Sequence, residues 1–118
     1  MGVSRYLVWY ISRPVRGGVG VGERYYLPDS DYELVRVDLY TKKAPVLQNC
    51  IFDVLDDGVS LFNTSGRPTI VIRQVKGNGF FTPSRATVRK GSVLTLNIDQ
   101  LDGDVGDITI TLELEKRE

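Results

Sequence analysis

Four aspartates crowd into nine residues of the segment NIDQLDGDVGDITITLELE (97–115); they are Asp99, Asp102, Asp104 and Asp107. Carboxylates this close together could bind Ca²⁺, a cation that prefers oxygen ligands. The spacing lacks the register of an EF-hand loop, and the intervening glycines are typical of a turn between strands. The residues therefore favour a solvated turn, and Ca²⁺ binding by the loop 99–107 is the alternative.

Carboxylates could also catalyse glycoside hydrolysis, which needs two of them across a cleft. The Asp and Glu residues of this sequence fall in expected turns or on strand faces that should be exposed. A chain of 118 residues would also enclose a substrate groove with difficulty. We therefore predict no catalytic residues and no enzymatic activity, and a hydrolase is the least favoured hypothesis.

The sequence contains no histidine, and Cys50 is its only cysteine. This composition excludes Ser-His-Asp and Cys-His catalysis, an intrachain disulfide, and zinc sites built from thiolates and imidazoles. Cys50 lies in the apolar run CIFDVL, so we predict a small buried hydrophobic side chain rather than a nucleophile. We expect no metal-binding residues, no cofactor-binding residues and no cofactor.

The glycine run RGGVGVGERYYLP (16–28) has glycines at alternate positions. A dinucleotide-binding fingerprint requires G-x-G-x-x-G at the start of a helix, and a P-loop requires a Gly-Lys-Ser/Thr sequence. Neither spacing is present. The run therefore predicts a flexible loop that leads into an edge strand.

The charge and hydropathy of the sequence argue against further classes of protein, namely nucleic-acid-binding, secreted and membrane proteins. Lys plus Arg total 15 and Asp plus Glu total 15, which argues against general nucleic-acid binding. The apolar run near the N-terminus is only about six residues long, too short for a signal peptide or a membrane span. We expect one soluble domain over residues 1–118, synthesised inside the cell, with no nucleic-acid or membrane partner.

Glycine and proline interrupt the sequence often, and the segments between them are rich in Val, Ile, Leu, Thr and Tyr, which is typical of strands. Eight or nine short strands imply an antiparallel β-sandwich or a barrel. The predicted strands lie near 4–12, 19–27, 32–41, 48–55, 59–63, 69–75, 86–89, 92–99 and 107–115.

Two further predictions concern the pairing of the last two long strands and the choice between helix and strand for one segment. Residues 92–99 and 107–115 alternate between apolar and polar side chains, so we expect them to pair as a hairpin across 100–106. Residues 30–43 could form a helix because they match a capping box. The alternation and the valines of that segment favour a strand instead.

The first strand is apolar on both faces: Leu7, Trp9 and Ile11 lie on one, and Tyr6, Val8 and Tyr10 on the other. It is therefore either a central strand of the domain or a strand covered by a second chain. Because Trp and Tyr are preferred anchors of interfaces, the second hypothesis also places residues 1–24 in subunit or shell contacts. The candidate interface residues are Tyr6, Trp9, Tyr10, Arg13, Arg16, Tyr25 and Tyr26.

Three blocks of the sequence carry a resemblance: YYLPDSDYELVRVDLYTKKAPVLQNCIFDVLDDGVSLF (25–62), RPTIVI (67–72) and ATVRKGSVLTLNIDQLDGDVGDITITLELE (86–115). Together they are similar to small β-sandwich modules of virion proteins in tailed bacteriophages, such as capsid decoration proteins, head fibres and tail-associated proteins. The resemblance implies architectural roles: Asp53 fixes the start of a hairpin, Gly58 its turn, and Ser60 and Phe62 the return strand. The sequence departs from the pattern in 12–24 and in the acidic form of 100–107.

The resemblance implies a jelly-roll type of β-sandwich with no cofactor and no chemistry. It also implies that the protein is synthesised in the host cytoplasm and located in a virion, at the capsid surface or in a tail. Its partners would be the major capsid protein or other virion proteins, commonly bound by a homotrimer. We predict a capsid decoration protein that binds the outer shell. The alternative is a carbohydrate- or receptor-binding module of a tail or fibre protein, which would expose Trp9, Tyr25 and Tyr26 in a shallow patch.

Overall fold

The computed structural model describes residues 4–11, 24–27, 29–82, 85–102 and 105–117. Its regular structure is almost entirely antiparallel β-strand, which confirms the predicted all-β class. Within the described residues the helical structure is confined to 3-10 conformation, in a turn at Thr64–Gly66 and at Arg85, and no helix is long and apolar enough to span a membrane. The ten strands are β1 (Ser4–Ile11), β2 (Arg24–Leu27), β3 (Tyr32–Thr41), β4 (Cys50–Asp56), β5 (Val59–Ser60), β6 (Thr69–Ile70), β7 (Lys76–Asn78), β8 (Thr87–Val88), β9 (Ser92–Gln100) and β10 (Ile108–Lys116).

The strands form one sheet in the order β1-β10-β3-β7-β6-β4-β9-β2, with β5 beside β4 and β8 beside β3. The two ends of this sheet approach each other. The rings of Trp9 in β1 and Tyr25 in β2 meet edge to face, with centroids 5.2 Å apart. The Tyr25 hydroxyl also donates a hydrogen bond to the carbonyl oxygen of Val8 at 2.5 Å. The sheet is thus nearly closed into a barrel-like shape around the apolar core.

Alternation along the strands determines which side chains enter this core. In β10, every second residue from Ile108 to Leu114 is fully buried. Burying one such Leu or Ile side chain contributes about 1.5–3 kcal/mol, so β10 is a main source of stability. The largest fully buried side chains of the described residues are Trp9, Phe52, Leu27, Leu61, Ile70, Leu94, Leu96, Ile108, Ile110, Leu112, Leu114 and Val37.

The predicted hairpin between the last two long strands is wrong. β9 pairs with β4 and β2, whereas β10 pairs with β1 and β3. Both edges of each strand are therefore occupied, and the segment after Gln100 leads from one half of the sheet to the other. Alternation specifies which face of a strand is buried, but it leaves the partner strand undetermined.

The strand prediction for 30–43 is confirmed, because β3 pairs with β10 along its whole length. A bulge in β3 shifts its register against β10: Glu113 of β10 pairs with Arg36, and the next residue, Leu114, pairs with Leu34. Two consecutive residues, Val35 and Arg36, consequently point outwards, and both Leu34 and Val37 remain buried. The extra residue thus keeps both ends of the strand facing the core.

Of the predicted strand 69–75, only β6 at its start is a strand. A turn in which Arg73 has φ 70° follows, and β7 begins at Lys76, after the predicted end. The strands divide because β6 pairs with β4 and β7 pairs with β3. A Cβ added at Gly77 in β7 would overlap the carbonyl oxygen of Thr69 in β6. Of the predicted strand 19–27, the described part is β2; residues 16–23 of the glycine run lie outside the described residues.

The tight turn predicted between β4 and β5 is confirmed. Asp57 and Gly58 have φ values of 47° and 86°, the left-handed conformations that a two-residue hairpin requires. The Ser60 hydroxyl then donates a hydrogen bond to the carboxylate of Asp53 at 2.6 Å. Asp53 therefore fixes this hairpin, as the resemblance implied.

Candidate functional site

The outward face of β1 is an apolar surface that the described strands leave uncovered. Tyr6, Val8 and Tyr10 are exposed on it, with Tyr10 at 62 % of its maximal accessibility, whereas the intervening Trp9 is buried at 2 %. β1 pairs with β10 along one edge only and stands at the end of the sheet order. The hypothesis of a central strand within the domain therefore does not describe β1, and its outer face is open to another chain.

The register extends this face across β10 and β3. The residue opposite Tyr10 is Thr109, whose other neighbour is the exposed Tyr40. Val8 lies in the next row, which continues to Asp38 in β3. We call the surface formed by these three rows the outer face; its members are Tyr6, Glu113 and Arg36 in the first row, Val8, Thr111 and Asp38 in the second, and Tyr10, Thr109 and Tyr40 in the third.

Charges on the outer face are paired with each other. The Arg36 side chain lies 3.1 Å from the Glu113 carboxylate and 3.2 Å from that of Asp38. A shallow hollow of about 330 Å³ lies beside this cluster and is lined by Asp38, Tyr40, Lys76, Gly77, Thr109 and their neighbours. The face thus combines exposed aromatic rings with paired charges in which two carboxylates meet one guanidinium. This composition favours contact with protein over contact with nucleic acid.

Tyr10 has a second role at the edge of the outer face. Its hydrogen bond with the Asp107 carboxylate raises the pKa of the phenol, and partial desolvation and the carboxylate charge act in the same direction. The phenol is therefore protonated at neutral pH and donates to Asp107. This bond orients the ring without covering it.

The predicted interface residues divide into three groups. Tyr6, Tyr10 and Tyr26 are exposed, Tyr25 is half-buried against the core, and Trp9 belongs to the core itself. Arg13 and Arg16 lie outside the described residues. Trp9, Tyr25 and Tyr26 consequently do not form the exposed aromatic patch that the carbohydrate-binding alternative requires.

The acidic segment after β9 contains a structural carboxylate that the sequence pattern does not reveal. Asp102 is only 2 % exposed, and one of its oxygens accepts hydrogen bonds from three consecutive backbone N–H groups. The donors are Val46 at 2.5 Å, Leu47 at 2.6 Å and Gln48 at 3.3 Å. Asp102 therefore fixes the loop between β3 and β4.

The other aspartates of this segment have separate partners. Asp99 lies 2.8 Å from the Arg67 guanidinium, and Asp107 interacts with Tyr10. Asp104 lies outside the described residues. Among the residues with described positions, no group of three or more carboxylate, thiol or imidazole side chains is arranged to hold a metal ion.

A second buried carboxylate lies under the β4–β5 hairpin. Burial raises the pKa of Asp53, while the Ser60 hydrogen bond and the Arg67 guanidinium 3.6 Å away lower it; the charge of Asp99 adds to the increase. The net direction is upward. Arg67 joins Asp53 to Asp99 and so links β4 to β9 through a charged network.

The geometry of the surface bears on the hydrolase alternative. Three of the shallow hollows on the described surface lie beside Tyr40, beside Gly58 and beside Phe80. Each is lined by one acidic residue, Asp38 or Asp57. None of the three therefore joins the two carboxylates that glycoside hydrolysis needs.

The prediction for Cys50 is confirmed. Its side chain is fully buried, and burial raises the pKa of the thiol. The backbone N–H of Asp102 donates a long hydrogen bond to its sulfur at 3.5 Å. The thiol is therefore protonated and inaccessible, which suits packing rather than reactivity.

Sequence reasoning did not select Tyr40 or Val8 for the interface. The alternation in 32–41 does indicate that Arg36, Asp38 and Tyr40 share the outward side of β3. What it cannot indicate is that β10 brings this side next to that of β1. The alternation within each strand therefore indicates which side chains point outwards, but it does not indicate which strands lie side by side.

Comparison with known proteins gives similarity in fold alone. No family model matches the sequence, and no curated protein matches it significantly. A chain of the acidic stable capsid structure of Helicobacter pylori bacteriophage KHP30 covers 96% of this chain and 87% of its own length, with 13% identity and a TM-score of 0.56. A chain of the cyanophage Pam1 capsid asymmetric unit covers 98% and 86%, with 11% identity and a TM-score of 0.49. The KHP30 match establishes a shared fold.

Proposed function

We propose that this chain is a non-enzymatic structural protein of a bacteriophage virion. The observation that carries the proposal is the fold shared with a chain of a phage capsid structure over 96% of the residues. The resemblance of the sequence to phage β-sandwich modules supports the same conclusion independently. The more specific role that we propose is capsid decoration, in which the protein binds the major capsid protein on the outer shell.

The strand order supports a jelly-roll type of fold for this single domain. When the two-residue strands β5 and β8 are set aside, eight strands remain, and their order along the sheet reads 1-8-3-6-5-4-7-2. The first strand thus pairs with the eighth, the second with the seventh, the third with the sixth and the fourth with the fifth. Winding of this kind is the one expected of an eight-stranded jelly roll.

The outer face is the contact surface that we propose for neighbouring virion subunits. Tyr6 and Tyr10 supply aromatic anchors of the kind enriched in interfaces. Because a shell presents many copies of the same site, weak contacts by each copy add up to a large gain in particle stability. A homotrimer would multiply this effect by placing three contact surfaces on one assembly.

Co-sedimentation tests the proposal. The purified chain is mixed with empty capsids of the phage that encodes it, and the bound fraction is measured against a Tyr6→Thr/Tyr10→Thr variant. Val59→Thr is the matched control, since Val59 is exposed in the β4–β5 turn, away from the outer face. We expect the wild type and the control to sediment with capsids and the double variant to remain in solution.

Two results would overturn the proposal. One is a wild-type chain that ignores capsids but is retained on a glycan column, which would favour the receptor-binding alternative. The other is equal sedimentation of the wild type and the double variant, which would remove the outer face from the contact. Light scattering of the purified chain measures the oligomeric state in the same preparation.

A further inference from the structure

A second apolar surface lies at the end of the barrel, on the loop between β3 and β4. Leu47 is 81% exposed and Val46 is 55% exposed. The adjacent loop between β6 and β7 also exposes an apolar side chain, Val71. The two loops are joined by a hydrogen bond from the Arg73 N–H to the Pro45 carbonyl oxygen at 2.9 Å. We call Val46, Leu47 and Val71 the apolar tip.

The apolar tip is held in place by hydrogen bonds to polar side chains, of which that of Asp102 is buried. The buried Asp102 carboxylate accepts the N–H groups of Val46, Leu47 and Gln48. The Gln48 side chain donates to the carbonyl oxygen of Leu101 at 2.7 Å. The side-chain oxygen of Asn49 accepts the N–H of Ile72 at 2.9 Å, which ties the loop to its neighbour.

This anchoring has a consequence for binding. A loop whose backbone is fixed at three consecutive N–H groups cannot turn its apolar side chains towards the core. Leu47 therefore stays in water in the free chain, where exposed apolar clusters are unfavourable unless a partner covers them. Because the loop is already ordered, covering it costs little conformational entropy.

The charges around the apolar tip indicate the chemistry of the partner. Lys42, Lys43 and Arg73 are exposed on the same two loops, and none of the three has an ion pair among the described residues. Arg5 and Arg117, by contrast, are paired, with Asp29 and Glu33 respectively. The tip therefore has a basic rim of unneutralised charge.

We propose that the apolar tip and its basic rim dock into an apolar hollow rimmed by carboxylates on a different protein. Charge complementarity would orient the partner, and Leu47 would fill the hollow as the anchor. A second copy of this chain fits poorly, because many of its carboxylates are already paired with its own cations. A membrane also fits poorly, since electrostatic membrane targeting uses clusters of about four to eight basic residues.

This surface is distinct from the outer face. The tip lies on loops between strands, whereas the outer face consists of strand residues in β1, β10 and β3. The inference goes beyond the proposed function, because a tip partner can be a virion protein or any other protein. Whether the tip binds a protein at all, and whether that protein belongs to a virion, are therefore separate tests: the first concerns the apolar tip and the second concerns the proposed function.

The first experiment identifies what covers the tip. A photo-crosslinking amino acid replaces Leu47 in cells that produce the chain in its natural context, and a second preparation carries it at Val59 as the control. We expect one discrete adduct, specific to position 47, with a different protein in which the cross-linked peptide is flanked by Asp or Glu. An adduct with a second copy, lipid or nucleic acid, or the absence of any adduct, would overturn the proposal.

The second experiment measures the contact with the purified partner. Leu47→Ser and the Lys42→Glu/Lys43→Glu variant should each weaken binding about tenfold or more, and the charge reversal should matter less at high salt. The matched controls are Val59→Ser and Arg24→Glu/Lys90→Glu, which should bind as the wild type does. All variants retain Asp102, and circular dichroism checks that they fold. Equal binding by variants and controls would contradict the role of the tip.

Discussion

The two faces of β1 carry similar apolar chemistry and have opposite environments. Leu7, Trp9 and Ile11 point inwards and are covered by the chain itself, whereas Tyr6, Val8 and Tyr10 point outwards and are exposed. The inner face stabilises the fold. The outer face contributes little to the stability of a single chain, and the structural role that we propose in an assembly would account for its composition. The two faces thus differ as residues that fold the protein and exposed residues that are open to contact with other proteins.

The comparison predicts its largest effect at Trp9. Trp9→Ala leaves a cavity next to Tyr25 and should lower the free energy of unfolding by about 3–5 kcal/mol, as measured by urea titration. Tyr10→Ala on the opposite face should change the free energy of unfolding only slightly, because this side chain is exposed. Similar losses for the two variants would show that the outer face is covered in the free chain.

Substitution of Asp102 tests whether a buried polar group also stabilises the fold more than an exposed one does. Asp102→Ala leaves three backbone N–H groups of the β3–β4 loop without their acceptor, so we expect a loss of about 3 kcal/mol in the free energy of unfolding. Asp56→Ala, at the end of β4, is the control and should have a much smaller effect. Addition of EDTA to the wild type should leave the melting temperature unchanged if Asp102 acts only as an acceptor. A decrease with EDTA would instead favour Ca²⁺ binding by the loop 99–107.

Asp53 predicts a smaller effect that depends on pH. Its pKa is raised above 3.8 by burial, so the folded chain retains a proton that the unfolded chain has already lost. The stability contributed by this proton is present below pH 3.8 and is lost as the pH rises through the folded pKa, by at most about 1.4 kcal/mol per pH unit. Asp53→Asn should remove this loss. Urea titrations from pH 3 to pH 7 measure the difference between the two chains, and a difference of the opposite sign would contradict the direction of the shift.

Tyr10 gives the smallest expected effect on the fold. Tyr10→Phe removes the hydrogen bond to Asp107 and should leave the free energy of unfolding almost unchanged, because the bond is exposed to solvent. The raised pKa of Tyr10 also predicts that its phenolate forms at higher pH than that of an ordinary tyrosine. Ultraviolet titration should show the loss of a late-ionising component in Tyr10→Phe. Persistence of that component would place it on another tyrosine.

The sequence predicted the faces of the strands better than their partners. Alternation in 107–115 identified the buried side of β10 correctly, but it suggested pairing with β9 where β1 and β3 are the partners. Pairing depends on contacts between distant segments, which periodicity in one segment does not record. The same limit applies to Asp102, whose acceptor role depends on N–H groups 54 to 56 residues earlier in the chain. By contrast, the Asp57-Gly58 turn is local and was predictable from its residue types.

Hydroxyl-radical footprinting of the free chain and of intact virions tests the central claim most directly. It reports the solvent accessibility of individual aromatic side chains by mass spectrometry. We expect Tyr6 and Tyr10 to react in the free chain and to be protected in virions, with Trp9 unreactive in both states. Reactivity of Tyr6 and Tyr10 in virions equal to that in the free chain, or absence of the chain from virions, would contradict the assignment of the outer face to virion assembly.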